Sequence, residues 1–150
     1  MKKGNYLSTI LRANKTVFSF KDIVLIWNEK NINSARSRIN YYVKNKELIQ
    51  LRRGFYAKDD KYDRYELASK ICVPSYISFE TVLKDSGMIF QRYGSIYIAS
   101  YKTKDIMIDG QKYCFRTIKQ ELLTNSAGII NKNNYTIASV ERAFLDILYL

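Results

Sequence analysis

Histidine is absent from this 150-residue chain, and cysteine occurs only twice. Without imidazole side chains, histidine-based acid–base catalysis and most zinc sites are excluded. The two cysteines, Cys72 and Cys114, lie far apart in the sequence. We therefore expect them to be small core residues of a reduced intracellular protein, not part of a disulfide framework.

Long apolar runs are also missing. No stretch approaches the roughly 20 apolar residues that a membrane-spanning helix requires, and polar residues interrupt the segment that follows Met1-Lys2-Lys3. Neither a membrane span nor an export signal is expected, so the sequence predicts a cytoplasmic protein without a membrane partner.

Signals of enzymatic chemistry are equally scarce. The sequence contains no glycine-rich phosphate loop followed by Lys and Ser or Thr. A nucleophilic cysteine would lack its usual histidine base. We therefore expect a protein that is not an enzyme and needs no cofactor or metal.

Acidic residues are the scarcer charged type, with 14 Asp and Glu against 25 Lys and Arg, which gives a net charge of +11. The excess lies almost wholly in residues 1–58, where 13 basic and 3 acidic residues give +10, whereas 12 and 11 in residues 59–150 give +1. An excess of this size indicates an anionic partner, with nucleic acid the first candidate. The asymmetry predicts two domains, residues 1–58 and residues 59–150.

The apolar spacing of residues 1–58 predicts three helices. The first is a short amphipathic helix that ends before Asn14. The second begins after Ser19, which together with Asp22 three positions later has the pattern of a capping box. Its buried stripe is expected to comprise Ile23, Ile26 and Trp27.

The third helix is expected to start at a cap formed by Asn33 or Ser34 and to end near Asn45. Its core side comprises Ala35, Ile39, Tyr42 and Val43. Two short strand-like runs follow, residues 48–51 and residues 55–57, and Arg52-Arg53-Gly54 between them suits a hairpin with a basic tip. Three helices followed by a basic hairpin are typical of a winged helix-turn-helix, which we predict for residues 1–58.

In that fold, the third helix packs by one face and presents the opposite face to the DNA major groove. Arg and Asn make bidentate contacts with guanine and adenine, so Arg36, Arg38 and Asn40 are expected to read bases. Ser34, Ser37 and Lys44 are expected to hold phosphates. Arg52 and Arg53 at the hairpin tip are expected to reach the backbone or an adjacent minor groove. The predicted DNA-binding residues are Ser34, Arg36, Ser37, Arg38, Asn40, Tyr41, Lys44, Arg52 and Arg53.

Residues 59–150 mix helical and strand patterns, so we predict an α+β protein with a mixed α/β C-terminal domain. Pro74 is expected to end one helix and Ser78 to cap the next. Residues 95–101 have the pattern of a strand, and Asp109-Gly110 between two apolar runs is a strong hairpin signal. Ser139 is expected to cap a final amphipathic helix. That helix has no stop signal before Leu150, so we expect the native domain to continue further.

Five segments together resemble the AbiEi family of antitoxins, which occurs in bacterial type IV toxin–antitoxin and abortive phage infection loci. These segments are NSARSRINYYV (33–43), LRRGFYA (51–57), YELA (65–68), PSYISFETVL (74–83) and SVERAFLD (139–146). They follow one another in the family's order and span nearly the whole chain. Ser139-Val140 stands where the family pattern has Thr-Pro, a change that is expected to preserve the helix start.

The resemblance implies a transcriptional repressor that binds inverted repeats in its own promoter, with two copies of the chain on the DNA. It further implies that residues 59–150 form an antitoxin domain that counteracts a nucleotidyltransferase-like toxin without a stable complex. A stand-alone transcription regulator is the first alternative. An RNA-binding or protein-interaction module, in which the basic helix meets structured RNA or an acidic partner, is the second.

Overall fold

The structure is a computed structural model that describes residues 5–90 and 94–150, so the Met1-Lys2-Lys3 segment lies outside the described residues. These residues form seven helices and nine strands in two sheets, which confirms the predicted α+β class. The chain divides into two compact units, Met1–Asp63 and Arg64–Leu150. The division falls slightly after the boundary that the charge pattern indicates, which follows Lys58.

The first unit has three helices and a small antiparallel sheet. In chain order its elements are α1 (Asn5–Arg12), β1 (Val17–Ser19), α2 (Phe20–Trp27), α3 (Ile32–Lys44), β2 (Ile49–Arg52) and β3 (Phe55–Ala57). The sheet has the order β1-β3-β2. The three predicted helices and the hairpin are therefore confirmed. Strand β1 was not predicted, because its pairing of Val17 with Ala57 joins residues far apart in the sequence.

The start of α2 follows local sequence signals closely. Ser19 Oγ accepts a hydrogen bond from the Asp22 N–H at 3.0 Å, and the Ser19 N–H donates to Asp22 Oδ2 at 3.0 Å. This reciprocal pair is the predicted capping box. The predicted cap of α3 was wrong, because Asn31 is the capping residue. Asn31 Oδ1 accepts from the N–H groups of Asn33 and Ser34 at 3.0 and 3.2 Å.

The core of the first unit lies between the three helices and one face of the sheet. It contains the predicted Ala35, Ile39 and Tyr42 of α3 and Ile23 and Trp27 of α2, all of which are buried. Two residues expected in this core, Ile26 and Val43, are only partly buried and pack against its edge. The other buried members are Ile10, Phe18, Leu48 and Tyr56.

The second unit contains a six-stranded mixed sheet of order β6-β7-β5-β4-β9-β8. Its elements are α4 (Arg64–Ile71), β4 (Ser75–Ile77), α5 (Glu80–Asp85), β5 (Ile96–Ser100), β6 (Lys104–Ile108), β7 (Gln111–Thr117), α6 (Gln120–Leu123), β8 (Ile129–Asn131), β9 (Thr136–Ala138) and α7 (Val140–Leu148). Pairs β5–β7 and β4–β9 are parallel, and the other neighbours are antiparallel. Cys72 and Cys114 are both buried and free.

The strand predicted over residues 95–101 is confirmed as β5. One predicted turn and one predicted helix cap are also confirmed, and another predicted cap is wrong. Asp109 and Gly110 have φ of 52° and 76° and connect β6 to β7, as a tight hairpin turn requires. Ser139 caps α7 by accepting from the Arg142 N–H at 3.2 Å. Ser78 does not cap α5, because its hydroxyl donates instead to Asp146 Oδ2 at 2.6 Å.

That contact belongs to a buried polar network around Arg142 and Asp146 of α7. Arg142 Nε donates to Asp146 Oδ1 at 3.2 Å, and the Tyr76 hydroxyl donates to Asp146 Oδ2 at 2.8 Å. The same guanidinium donates to three backbone carbonyls: that of Leu122 in α6, and those of Asn125 and Ala127 in the segment between α6 and β8. Burial, followed by the hydrogen bond to Asp146, raises the pKa of Tyr76. The network therefore ties α7 to β4 and to the segment before β8.

In the described ranges, none of the helices is long and apolar enough to cross a membrane.

Candidate nucleic-acid interface

The exposed surface of α3 carries most of the predicted site residues. Ala35, Ile39 and Tyr42 turn one side of the helix into the core, so the opposite side faces solvent. Of the nine predicted residues, seven are exposed and two are half-buried. The exposed ones are Arg36, Ser37, Asn40, Tyr41, Lys44, Arg52 and Arg53, and the half-buried ones are Ser34 and Arg38.

One flank of α3 faces the hairpin across an open cavity of about 410 Å³, which we call the α3–hairpin cleft. Its lining residues are Phe20, Arg36, Asn40, Gln50, Arg53, Gly54 and Tyr56. The predicted residues Arg36, Asn40 and Arg53 therefore meet at one place. The rest of the lining comprises the rings of Phe20 and Tyr56, the Gln50 amide and Gly54.

Arg36 is held within this cleft by an aromatic ring. Its guanidinium carbon lies 5.2 Å from the centroid of the Phe20 ring, within the range of a cation–π contact. The same guanidinium is close enough to Tyr56 to act on its hydroxyl. Burial raises the pKa of Tyr56, and the positive charge of Arg36 opposes that increase.

The hairpin is joined directly to the start of α2. The Phe20 N–H donates to the Gly54 carbonyl at 2.8 Å, and Gly54 has a φ of +86°, which an L-residue rarely adopts. The β2–β3 pairing shifts register between Gln50 and Arg52. These features fix the hairpin tip, and with it Arg53, beside the first turn of α2.

Arg38 makes a different set of contacts from Arg36 and Asn40. Its guanidinium carbon lies over the rings of Tyr6 and Trp27, at 3.7 and 5.4 Å from their centroids. Its Nη1 donates to Glu29 Oε2 at 3.3 Å. Arg38 therefore connects α3 to α1 and to the end of α2, on the side away from the hairpin.

A second shallow cavity, of about 520 Å³, lies on that other flank of α3. Its lining residues are Asn33, Ser34, Ser37, Arg38, Tyr41 and Tyr42. The nine predicted residues therefore do not form one cluster. Lys44 lies at the last position of α3 and Arg52 at the end of β2.

Two carboxylates of the first unit, those of Asp22 and Glu29, have partners other than Arg36, Lys44, Arg52 and Arg53. Asp22 lies 3.8 Å from Lys15 Nζ and also completes the capping box, and Glu29 pairs with Arg38. Within residues 5–90 and 94–150, no carboxylate forms an ion pair with Arg36, Lys44, Arg52 or Arg53. The Asn31 backbone N–H, followed by Arg38, holds the pKa of Glu29 below its ordinary value.

Several residues that line the two cavities were missed by the sequence analysis, among them Phe20, Asn33 and Gln50. Gln50 could have been found, because side chains alternate along β2 and its burial pattern leaves Gln50 and Arg52 exposed. Asn33 could have been found by extending the exposed stripe of α3 one turn towards its N-terminus. The contact of Phe20 with Arg36 joins two helices, so no local sequence pattern predicts it.

The described part of the chain holds no cluster of three or more Cys, Asp or Glu side chains able to bind a metal ion. No known protein-family model and no curated protein matches the chain.

Proposed function

We propose that the first unit is a winged helix-turn-helix that binds duplex DNA, and that the protein is a transcriptional autorepressor and antitoxin. The observation that carries the proposal is the uncompensated positive surface formed by α3 and the hairpin. Arg36, Lys44, Arg52 and Arg53 have no carboxylate partner in the described residues. A surface of this kind gains affinity by releasing counterions from DNA phosphates.

The element order supports the same proposal. Two helices, α2 and α3, follow one another across a short turn, and a hairpin comes directly after α3. Strand β1 extends that hairpin to a three-stranded sheet. In a winged helix, this arrangement allows the helix corresponding to α3 to enter the major groove while the hairpin contacts the flanking DNA.

The proposed mechanism is occupancy of a promoter. Helix α3 inserts its exposed side into the DNA major groove, which is about 12 Å wide. Lys44, Ser34 and Ser37 contact phosphates. Arg53 at the hairpin tip contacts the backbone or the adjacent minor groove. An inverted repeat would be bound by two copies of the chain, one on each half-site.

The antitoxin role rests on the resemblance of five segments to the AbiEi family. In this proposal, the second unit counteracts a nucleotidyltransferase-like toxin without forming a stable complex with it. Two of the five segments supply the Tyr76, Ser78, Arg142 and Asp146 network. Those contacts give the polar residues of the two segments a role in the folding of the second unit.

DNA binding is tested by measuring affinity at several salt concentrations for the promoter duplex, a scrambled duplex and a structured RNA. With about six phosphates neutralised, log affinity for duplex should fall with log salt at a slope near −5. The double variant Lys44→Ala, Arg53→Ala should reduce the slope, because both residues are proposed to contact the DNA backbone. The matched control, Lys119→Ala, Lys132→Ala, removes the same charge from exposed positions of the second unit and should leave the slope unchanged. A slope near zero on duplex DNA, or tighter binding to the RNA, would contradict the proposal.

The antitoxin role is tested separately, by inspecting the adjacent gene and co-expressing it with this chain. We expect a nucleotidyltransferase-like product whose toxicity this chain relieves. Absence of such a gene would favour a stand-alone transcription regulator and would leave the DNA-binding proposal intact.

A further inference from the structure

We infer that Arg36 and Asn40 form the base-reading pair of this surface, and that Phe20 is a positioning residue for Arg36. The inference rests on the proposed function and deepens it by specifying the DNA sequence that is recognised. Each half-site should contain a guanine, contacted by Arg36, and an adenine, contacted by Asn40, within about two base pairs of each other.

The first step is the separation of Arg36 from Arg38. Sequence spacing makes both equally plausible base readers, but their surroundings differ. Arg38 Nη1 donates to Glu29 Oε2 at 3.3 Å, and the guanidinium carbon lies 3.7 Å from the Tyr6 ring centroid. To reach a base, Arg38 would have to break this ion pair and this cation–π contact. Arg36 is exposed and has no carboxylate partner in the described ranges.

The second step is the contact between the Phe20 ring and the Arg36 guanidinium. A long, flexible side chain loses conformational freedom when it binds, and fixing it beforehand reduces that loss. The Phe20 ring lies 5.2 Å from the Arg36 guanidinium carbon. The backbone of Phe20 is itself fixed, because it follows the Ser19 cap and its N–H donates to the Gly54 carbonyl at 2.8 Å. Phe20 therefore restrains the guanidinium where it lines the α3–hairpin cleft.

The third step is the spacing of the pair. Asn40 follows Arg36 by four residues on α3, so both line the same cleft. Four residues rise about 6 Å along a helix, while successive base pairs are about 3.4 Å apart. The two side chains therefore reach bases about two positions apart. Their chemistry selects guanine O6 and N7 for Arg36, and adenine N6 and N7 for Asn40.

The experiment is selection of bound sequences from a randomised duplex library by the full chain, followed by sequencing. The wild type should enrich a guanine and an adenine at the expected separation. Arg36→Ala should lose the guanine preference and keep the adenine, and Asn40→Ala should do the reverse. Each change should reduce discrimination at its own position by about 5- to 150-fold.

Phe20 is tested with two substitutions in the same selection. Phe20→Leu keeps an apolar side chain and removes the ring, and it should weaken the guanine preference alone. Phe20→Tyr keeps an aromatic ring and should keep the guanine preference of the wild type. Unfolding of both variants is followed in parallel by fluorescence of Trp27, the single tryptophan. Lys44→Ala serves as control, because loss of a phosphate contact should lower affinity for all sequences alike.

The outcomes separate this inference from the proposed function. If the wild type binds duplex with the expected salt slope but Arg36→Ala enriches the same motif, the reading pair is wrong while DNA binding stands. If Phe20→Leu is folded and keeps the full guanine preference, the positioning role is wrong. If the wild type binds no duplex, the proposed function fails, and the inference fails with it.

Discussion

The guanidinium carbon of Arg38 lies 3.7 Å from the centroid of the Tyr6 ring. Tyr6 belongs to α1, and its carbonyl accepts a hydrogen bond from Trp27 Nε1 of α2 at 2.8 Å. Arg38 belongs to α3 and also pairs with Glu29, which follows α2. One side chain therefore connects all three helices of the first unit, on the flank of α3 that faces away from the hairpin.

Arg38→Ala should lower the free energy of unfolding of the first unit by about 1 to 2 kcal/mol, because the cation–π contacts with Tyr6 and Trp27 disappear. Urea unfolding followed by Trp27 fluorescence measures this directly, since Trp27 lies beside the contact. Arg36→Ala is the control, because it removes a single, longer cation–π contact at an exposed position, and it should change stability by less. If Arg38→Ala has wild-type stability but relaxed base preference, Arg38 reads DNA as the sequence pattern indicates.

Glu29 should make the stability of the first unit sensitive to acid. The pKa of Glu29 is held below its ordinary value of 4.5 in the folded state, first by the Asn31 N–H and then by Arg38. A carboxyl whose pKa is lowered on folding stabilises the native state at pH above the unfolded value, and that contribution is lost as pH falls through the lowered value. Glu29→Gln should therefore lower the urea midpoint near pH 7. The difference from wild type should shrink as the pH falls below 4.5. A difference that stays constant across this range would contradict the assignment.

Asp146→Ala should destabilise the second unit by about 3 to 5 kcal/mol, because it leaves the buried Arg142 guanidinium without its carboxylate. Tyr76 and Ser78 also lose the acceptor of their hydroxyl hydrogen bonds. Hydrogen exchange of peptides from β4 and α7 reports the change. Glu141→Ala, at an exposed position of the same helix, should change exchange very little. Equal protection in both variants would show that the network does not stabilise the unit.

Gly128→Ala and Gly110→Ala form a matched pair, since both glycines have a φ of +76°. Either substitution carries the backbone cost of about 1 to 2 kcal/mol for a left-handed L-residue. A Cβ at residue 128 would lie 2.9 Å from Arg142 Cβ, whereas a Cβ at residue 110 would meet nothing within 4 Å. Gly128→Ala should therefore lower the free energy of unfolding by about 1 to 3 kcal/mol more than Gly110→Ala. Thermal unfolding of both variants tests this, and equal values would exclude the steric contribution.

Arg53→Ala should weaken binding to every duplex alike and reduce the steepness of the salt dependence by about one unit, because it removes one phosphate contact. Arg53 lies at the exposed hairpin tip and has no carboxylate partner among the described residues. Affinities for promoter and scrambled duplexes, each measured at several salt concentrations, provide the test. An effect confined to the promoter duplex would instead indicate base recognition by Arg53.

Local features of the sequence predicted several local features of the structure, although the cap of α3 is Asn31 and not Asn33 or Ser34. The Ser19 and Asp22 capping box, the Asp109-Gly110 turn and the Ser139 cap are all confirmed. In each case the interacting groups lie within a few positions of one another, so the sequence alone contains both partners. The same holds for Ala35, Ile39 and Tyr42 on the core side of α3, because helical geometry fixes which residues share a face. Val43, also expected there, is only partly buried.

The tertiary structure decided everything that joins distant segments. Ser78 was expected to cap a helix, but its hydroxyl finds Asp146, which lies 68 positions further along the chain. Arg36 and Arg38 are equivalent by sequence spacing. Only the packing of α1, α2 and the hairpin around α3 places Arg36 against the Phe20 ring and Arg38 beside Glu29. Charge composition by itself determined that one part of the chain is strongly basic. Which of those charges remain free to meet a ligand depends on the folded neighbours of each side chain, because an ion pair or an aromatic contact forms only after the chain has brought its partners together.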